Sequence, residues 1–186
     1  MRIIIGITGA SGAIYAVKLI KVLERNHEVF LIVSEIGEKI LEMETGYTVD
    51  KLSKFVKSIW RNNDLFAPPA SGSFKFDALI ICPCSLTTLS KIAYGIADNL
   101  ITRTATVALK EGRKIILVPR ETPLDAIHLE AMAKLAKIGV IILPACPAFW
   151  HKPKSLDDIV SYIVGKILDQ LGIEHKLFPQ WAPLEY

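Results

Sequence analysis

A chain of 186 residues has the length of one domain with one sizeable core. Half of it is apolar (51%), its formal net charge is only +3, and no basic run interleaved with aromatics occurs, which argues against a nucleic-acid footprint. No apolar stretch approaches the roughly 18 to 20 residues of a membrane span, and no signal-peptide pattern is visible, so the apolar content points to strands buried on both faces or to surface hidden in an oligomer.

Ile3 to Thr8 reads as a first strand. Gly9, Ala10, Ser11 and Gly12 form a small-residue turn, and Ile14, Val17, Leu19, Ile20 and Leu23 open a helix running to about residue 24 or 25. Strand, small turn, helix is the layout that aims backbone N–H groups and a positive helix end at a phosphate. The spacing Gly6-x-x-Gly9-x-x-Gly12 is not the dinucleotide spacing G-x-G-x-x-G, and tight packing is the other reading of these glycines. Glu28 to Ser34 is a second strand; a helix from about Glu35 ends near Glu44-Thr45-Gly46. Val49 to Trp60 reads as a weaker amphipathic segment. The Pro- and Ser-rich stretch from Asn62 to Ser73 is a loop, and reads equally as a lid, an intersubunit arm or a plain connector.

Asp77 to Cys82 is a third strand, followed by the hydroxyl-rich Cys84-Ser85-Leu86-Thr87-Thr88 that opens another helix. The helix from Asn99 to Lys110 carries Arg103 and Lys110 on one face, and Gly112 ends it. Lys114 to Pro119 is a fourth strand and runs into Pro119-Arg120-Glu121-Thr122-Pro123. Ala126 to Ile138 is amphipathic, Val140 to Leu143 is a fifth strand, and an aromatic, Pro-rich loop holds Phe149, Trp150 and His151. Ser155 caps a last helix to about Leu171, with Lys166 at the edge of its apolar stripe. The tail from about 172 to 186 carries Phe178, Trp181 and Tyr186, expected to dock on the domain or on a neighbouring subunit.

The alternation predicts an α/β fold, a doubly wound parallel sheet with helices on both faces. Ligands of such sheets sit outside the carboxyl ends of the strands. The residues found there (Gly9 and Ser11, Ser34, Ser85, Thr87 and Thr88, Arg120 and Glu121, Phe149 and Trp150) suit a phosphorylated, flat, partly apolar ligand, and flavin mononucleotide fits better than a free sugar phosphate. Arg120, pinned between prolines beside Glu121, is a bidentate phosphate ligand by type. Arg103 and Lys110 read either as solvated helix charges or as site cations, and Lys166 as a snorkelling side chain or one that reaches into a site. Cys82, Cys84 and Cys146 form neither a disulfide framework nor a zinc spacing, so free thiols in a reducing, cytoplasmic compartment are expected. No metal spacing is seen among the four histidines.

Taken together, Gly9-Ala-Ser-Gly-Ala-Ile-Tyr15, Glu44-Thr45, Ala67-Pro-Pro-Ala-Ser-Gly-Ser73, Cys82-Pro-Cys-Ser85, Ala108-Leu-Lys-Glu111, Pro119-Arg-Glu-Thr-Pro123 and Pro147-Ala-Phe-Trp-His151 resemble the UbiX-type flavin prenyltransferases, in order and over nearly the whole chain. The resemblance implies a single flavodoxin-like Rossmann domain over residues 1–186 and, commonly, a dodecamer with sites at subunit interfaces. It implies reduced FMN as cofactor and prenyl acceptor, dimethylallyl phosphate as donor, no metal, and prenylated FMN as a product for a UbiD-type decarboxylase. By position it places FMN on Gly9, Ala10, Ser11, Ser34, Ser85, Leu86, Thr87, Thr88 and Arg120. The donor falls on Lys110, Arg120, Glu121, Trp150 and Lys166, with Arg103 nearby, and Ser11 and Glu44 fall where proton movements are assisted beside the flavin ring. The chemistry suits these types: cations stabilise a departing phosphate, an aromatic face stabilises allylic charge, and carboxylates move protons. Two positions depart from the family pattern: Trp150 stands where tyrosine is typical and Lys166 where arginine is typical, so the phenol O–H and the guanidinium fork are lost while the π face and the charge remain.

Three other readings compete. A flavin-dependent cysteine decarboxylase shares the sheet order, but its Asn-containing substrate motif is missing where Cys82-Pro83-Cys84-Ser85 stands. A short-chain dehydrogenase is suggested by Thr8-Gly-Ala-Ser-Gly12 and Tyr162-x-x-x-Lys166, but Phe149 stands where its serine belongs. A non-catalytic FMN-binding or carrier subunit is the third.

Overall fold

The computed structural model describes residues 1–181. The chain divides into two compact units, Met1–Ala145 and Cys146–Tyr186.

The first unit holds a six-stranded sheet, all parallel, built from β1 (Arg2–Ile7), β2 (Glu28–Val33), β3 (Ser58–Arg61), β4 (Ala78–Cys84), β5 (Lys114–Pro119) and β6 (Ile141–Ile142). Strand order is β3-β2-β1-β4-β5-β6. β1, β2, β4 and β5 are apolar on both faces, because parallel sheets are covered on both. Alternate side chains divide between the faces. Ile4, Phe30, Ile32, Leu79, Ile81 and Leu117 join one buried cluster with α4 (Leu86–Ala93), α5 (Leu100–Lys110) and α6 (Ala126–Lys137). Ile3, Ile5, Ile7, Leu31, Ile80 and Ile116 are fully buried on the other face, where α1 (Ala13–Leu23) crosses β1, β2 and β4. α2 (Glu35–Thr45) packs beside α1.

One strand differs from the sequence expectation. The segment expected to be amphipathic from Val49 to Trp60 is a short helix, α3 (Val49–Ser53), followed by the edge strand β3. Trp60 stacks on Phe30 of β2 with ring centroids 5.6 Å apart, a contact between strands that no periodicity within four residues reveals. Without β3 the five expected strands stand in the flavodoxin order 2-1-3-4-5; β3 adds an edge and gives the 3-2-1-4-5-6 order of Rossmann sheets.

In the second unit, an irregular segment leads to α7 (Leu156–Leu171). A capping box starts α7: the Asp158 N–H donates to Ser155 Oγ at 3.2 Å and the Ser155 N–H donates to Asp158 Oδ2 at 3.0 Å. The tail beyond α7 turns back within this unit and packs Phe178 on Tyr162, ring centroids 4.9 Å apart. Tyr186, also expected to dock, lies outside the described residues.

Candidate functional site

The chain leaves β1 for β2 on one side and returns through β4 on the other, so a crevice opens between the carboxyl ends of β1 and β4. Thr8 stitches it together. Its hydroxyl donates to the Pro83 carbonyl at 2.8 Å and accepts from the Ser85 N–H at 2.7 Å, and its own N–H donates to the same carbonyl at 3.3 Å. Only 2% of Thr8 is exposed, so each of these groups depends on the other.

The turn after Thr8 ends at Gly12, whose φ of 110° lies in the left-handed region that side chains disfavour. Gly12 and Ala13 at the start of α1 both donate their N–H groups to Glu44 Oε2, each at 2.9 Å. This corrects the expectation that these amides cradle a phosphate: a carboxylate from the last turn of α2 satisfies them, an anion at the positive end of α1. The same contact brings Glu44 to the Ser11 turn, uniting the two residues expected to assist proton movement.

The hydroxyl-bearing strand ends do lie along this edge. Ser34 caps α2, accepting the Gly37 N–H at 3.0 Å, and donates its own N–H to Ile7 O at 3.0 Å. Ser85 caps α4, its Oγ accepting the Thr88 N–H at 3.3 Å and lying 3.0 Å from Thr88 Oγ1. The first-turn amides of Leu86 and Thr87 have no acceptor inside a helix and face the carboxyl edge. Arg120 follows β5, whose Pro119 pairs with Cys84, so it stands beside Ser85. Its Nε is buried and has no hydrogen-bond partner among the described residues. A buried guanidinium N–H without a partner fits an anionic ligand, and with Ser85, Thr88 and the α4 start it fits the phosphate of FMN. Glu121 is exposed and accepts the Thr122 N–H at 3.1 Å.

Two expected cations do not join this crevice within the chain. Arg103 Nε donates to Ala70 O at 3.1 Å, on the loop before β4. Lys110 ends α5, next to the start of β5 rather than its end, with Nζ 3.8 Å from Glu111 Oε1. The six residues of β5 put roughly 17 Å of strand between that edge and Arg120.

In the second unit, Trp150 and Lys166 line one cavity of about 890 Å³, together with Asp169, His175, Phe178 and Trp181. The Trp150 and Trp181 rings meet edge to face, centroids 5.1 Å apart. Lys166 Nζ donates to Asp169 Oδ2 at 2.9 Å, and His175 Nε2 lies 3.0 Å from Asp169 Oδ1. Burial pushes the Asp169 carboxyl up, but the hydrogen bonds from Lys166 and His175 outweigh it and hold the group below its ordinary range. Tyr162, half of the dehydrogenase-like Tyr-x-x-x-Lys spacing, stacks on His151 at 5.4 Å.

Sequence reasoning missed Thr8, Asp169 and His175. A hydroxyl ending an otherwise apolar strand was a usable signal for Thr8; Asp169 and His175 offered none, because their partner is fixed only by the fold of the tail. Among the described residues no cluster of His, Cys, Asp and Glu has the makings of a metal site, and no helix is long and apolar enough to cross a membrane.

Comparison with known proteins agrees with this geometry. The Flavoprotein family profile matches residues 1–168. The flavin prenyltransferase UbiX of Methanocaldococcus jannaschii is 49% identical over 98% of this chain and 99% of its own length. The flavin prenyltransferase LpdB of Lactiplantibacillus plantarum is 47% identical over 97% of each. Among solved structures, AnUbiX (PadA1) in complex with FMN and dimethylallyl pyrophosphate superposes with a TM-score of 0.96 at 39% identity, covering 99% of this chain and 98% of that one. A dodecameric FMN-dependent Ubix-like decarboxylase from Escherichia coli O157:H7 gives a TM-score of 0.96 at 42% identity, over 98% of this chain and 100% of that one. The cysteine decarboxylase TvaF, at 17% identity and a TM-score of 0.64, shares the fold alone. The chain belongs to the Flavoprotein family and, within it, to the UbiX-type flavin prenyltransferases.

Proposed function

We propose that this protein transfers a dimethylallyl group from dimethylallyl phosphate to N5 and C6 of reduced FMN, and that the prenylated FMN serves a UbiD-type decarboxylase. Near-full-length identity to flavin prenyltransferases carries the reading; it spans both units and supports a single flavoprotein domain over residues 1–186.

FMN, when bound and reduced, supplies the nucleophilic N5 and C6 positions. Gly9, Ala10 and Ser11 approach it from the β1 turn, while Ser34, Ser85, Leu86, Thr87, Thr88 and Arg120 hold it from the other strand ends. The unpartnered Arg120 Nε supports the phosphate contact. Arg120, Lys110 and Lys166, with Arg103 nearby, stabilise the phosphate that leaves the donor, where charge grows as the bond breaks. Glu121 moves a proton to or from that phosphate. Trp150 offers its π face to the allylic charge. Glu44, held on the Gly12 amide next to Ser11 in the chain, and Ser11 would assist proton removal beside the bound flavin.

Lys110 lies at the opposite sheet edge from Arg120, which supports a donor site completed by a neighbouring copy. The exposed Ile36, Met43, Phe66 and Ile127 support assembly, with a dodecamer as the expected form. The test is to add reduced FMN and dimethylallyl phosphate without oxygen and to weigh the extracted flavin. A mass gain of one five-carbon prenyl unit supports the proposal. Unmodified FMN with both the monophosphate and the diphosphate donor overturns it in favour of an FMN carrier.

A further inference from the structure

We propose that Asp169, itself held by His175, is a positioning residue that aims the Lys166 ammonium at the donor phosphate; this rests on the reading that Lys166 binds that phosphate. An arginine at this place would bring its own planar fork. A lysine is a point charge on a four-carbon stem and needs an external hold to present one geometry.

The structure supplies that hold from two segments of the second unit, α7 and the stretch from 173 to 178. Lys166 and Asp169 lie one turn apart on α7, and Oδ2 takes the ammonium at 2.9 Å. The other carboxylate oxygen faces His175 Nε2 at 3.0 Å. His175 Nδ1 accepts the Leu177 N–H at 3.2 Å, so the ring proton sits on Nε2 and is donated to Asp169. The His175 side chain is only 10% exposed, and its ring packs on Phe178 with centroids 5.2 Å apart.

Gly165 makes this approach possible. A Cβ at that position would meet His175 Cε1 at 2.7 Å and Phe178 Cδ1 at 2.8 Å, so a side chain there would push the His175 and Phe178 rings out of their present places on α7. With both oxygens engaged, the carboxylate cannot swing away. One ammonium N–H is fixed on Asp169, and the other two remain for the cavity that Trp150 and Trp181 line. A pair of this exposure, 40% on each side, adds little to stability, so orientation is the stronger reason for it.

Two physical effects of Asp169 on the donor oppose each other. Its charge offsets that of Lys166 and weakens phosphate binding, whereas its hold on the side chain removes the ordering that binding would otherwise require. The proposal is that the second prevails. The experiment measures dimethylallyl monophosphate affinity by calorimetry on the FMN-loaded full-length protein, with donor KM and kcat, FMN affinity and Tm beside it. The variants are D169N, H175A, K166R and K166R/D169N. D169N should raise donor Kd and KM about five- to tenfold, as expected for one long side chain left to be ordered on binding, with kcat changed less than about twofold. FMN affinity and Tm should stay at the wild-type values, and H175A should move donor Kd in the same direction by about two- to fivefold. In the K166R background the same Asp169 change should alter Kd less than about twofold, because the guanidinium needs no external hold. Unchanged or tighter donor binding by D169N overturns the proposal, as does an equal loss in both backgrounds. If wild type binds the monophosphate without forming prenylated flavin, the reaction reading fails while the Kd ratios still decide the positioning role. If it does not bind the monophosphate at all, the positioning role is overturned.

Discussion

Replacing Thr8 with valine keeps shape and burial but deletes the hydroxyl that joins β1 to the start of α4. Two hydrogen bonds go, to Pro83 O at 2.8 Å and from Ser85 N at 2.7 Å. The Pro83 carbonyl still accepts the Thr8 N–H at 3.3 Å, whereas the Ser85 N–H loses the acceptor it has. A typical net hydrogen bond contributes about 0.5–1.5 kcal/mol, and an orphaned buried donor costs about 1–3 kcal/mol, so the loss should be about 2–4 kcal/mol. For a chain of this length that is a Tm drop of roughly 5–12 °C. Thr8→Ser, which keeps the hydroxyl and loses one methyl, should lose only about 1 kcal/mol. Urea unfolding of both variants beside wild type reads the difference, and flavin fluorescence reads FMN affinity, which should weaken several-fold only for valine. A valine variant within about 0.5 kcal/mol of wild type, or no worse than serine, would refute the argument that Thr8 holds the crevice.

Arg120→Gln should weaken FMN binding about 10- to 100-fold by removing a charge-assisted contact, and Arg120→Lys should recover only part of it; wild-type affinity in the Gln variant rules out the phosphate role. Acid should destabilise the fold late. Hydrogen bonds from Lys91 to Asp98 and from His128 to Asp125, and the Lys154 N–H to Asp158, hold these carboxyls below the ordinary value of 3.8. A lowered folded pKa of a carboxyl contributes stability that is complete above the ordinary value and lost as pH falls through the folded one, so the main decline should come below 3.8, after a shallow loss that begins as pH falls through 6.5 because burial and the N-terminal ammonium hold the His27 imidazole below its ordinary value. A steep loss between pH 7 and 5 contradicts this. Burial pushes the Cys82 and Cys84 thiols up, whereas Cys146 is exposed. A thiol reagent should therefore label one cysteine in the native protein and three after unfolding.

The parallel core was readable because strands buried on both faces are written as unbroken apolar runs: Lys114 to Pro119 came out with the bounds the structure has. Ser155 and its acidic first turn marked α7 for the same kind of local reason. β3 was not readable, since Ser58–Arg61 is a strand through its pairing with β2, and its Trp60 packs on Phe30 of that strand. Residue types at strand ends put Ser34, Ser85 and Arg120 along the carboxyl edge, because a parallel sheet collects those ends on one side. Side-chain direction was beyond reach. Nothing local says that Glu44 turns to the α1 amides, or that Lys110, one heptad after Arg103, ends at the far edge of the sheet.

The crevice is bounded by the first strand made and by one made much later, and this sets an order on synthesis. Thr8 leaves the ribosome 77 residues ahead of Ser85, its hydrogen-bond donor. At a translation rate of about 5–20 residues per second that gap is roughly 4–15 s. During it, Ile3, Ile5 and Ile7 can pair only with β2, since β4 does not yet exist. Of the residues proposed to hold FMN, only Gly9, Ala10, Ser11 and Ser34 exist by then; Ser85, Thr88 and Arg120 do not. A ligand that needs those later residues stabilises the finished fold by mass action rather than the early one, and a chain that stops before residue 78 is left with an apolar central strand open along one edge.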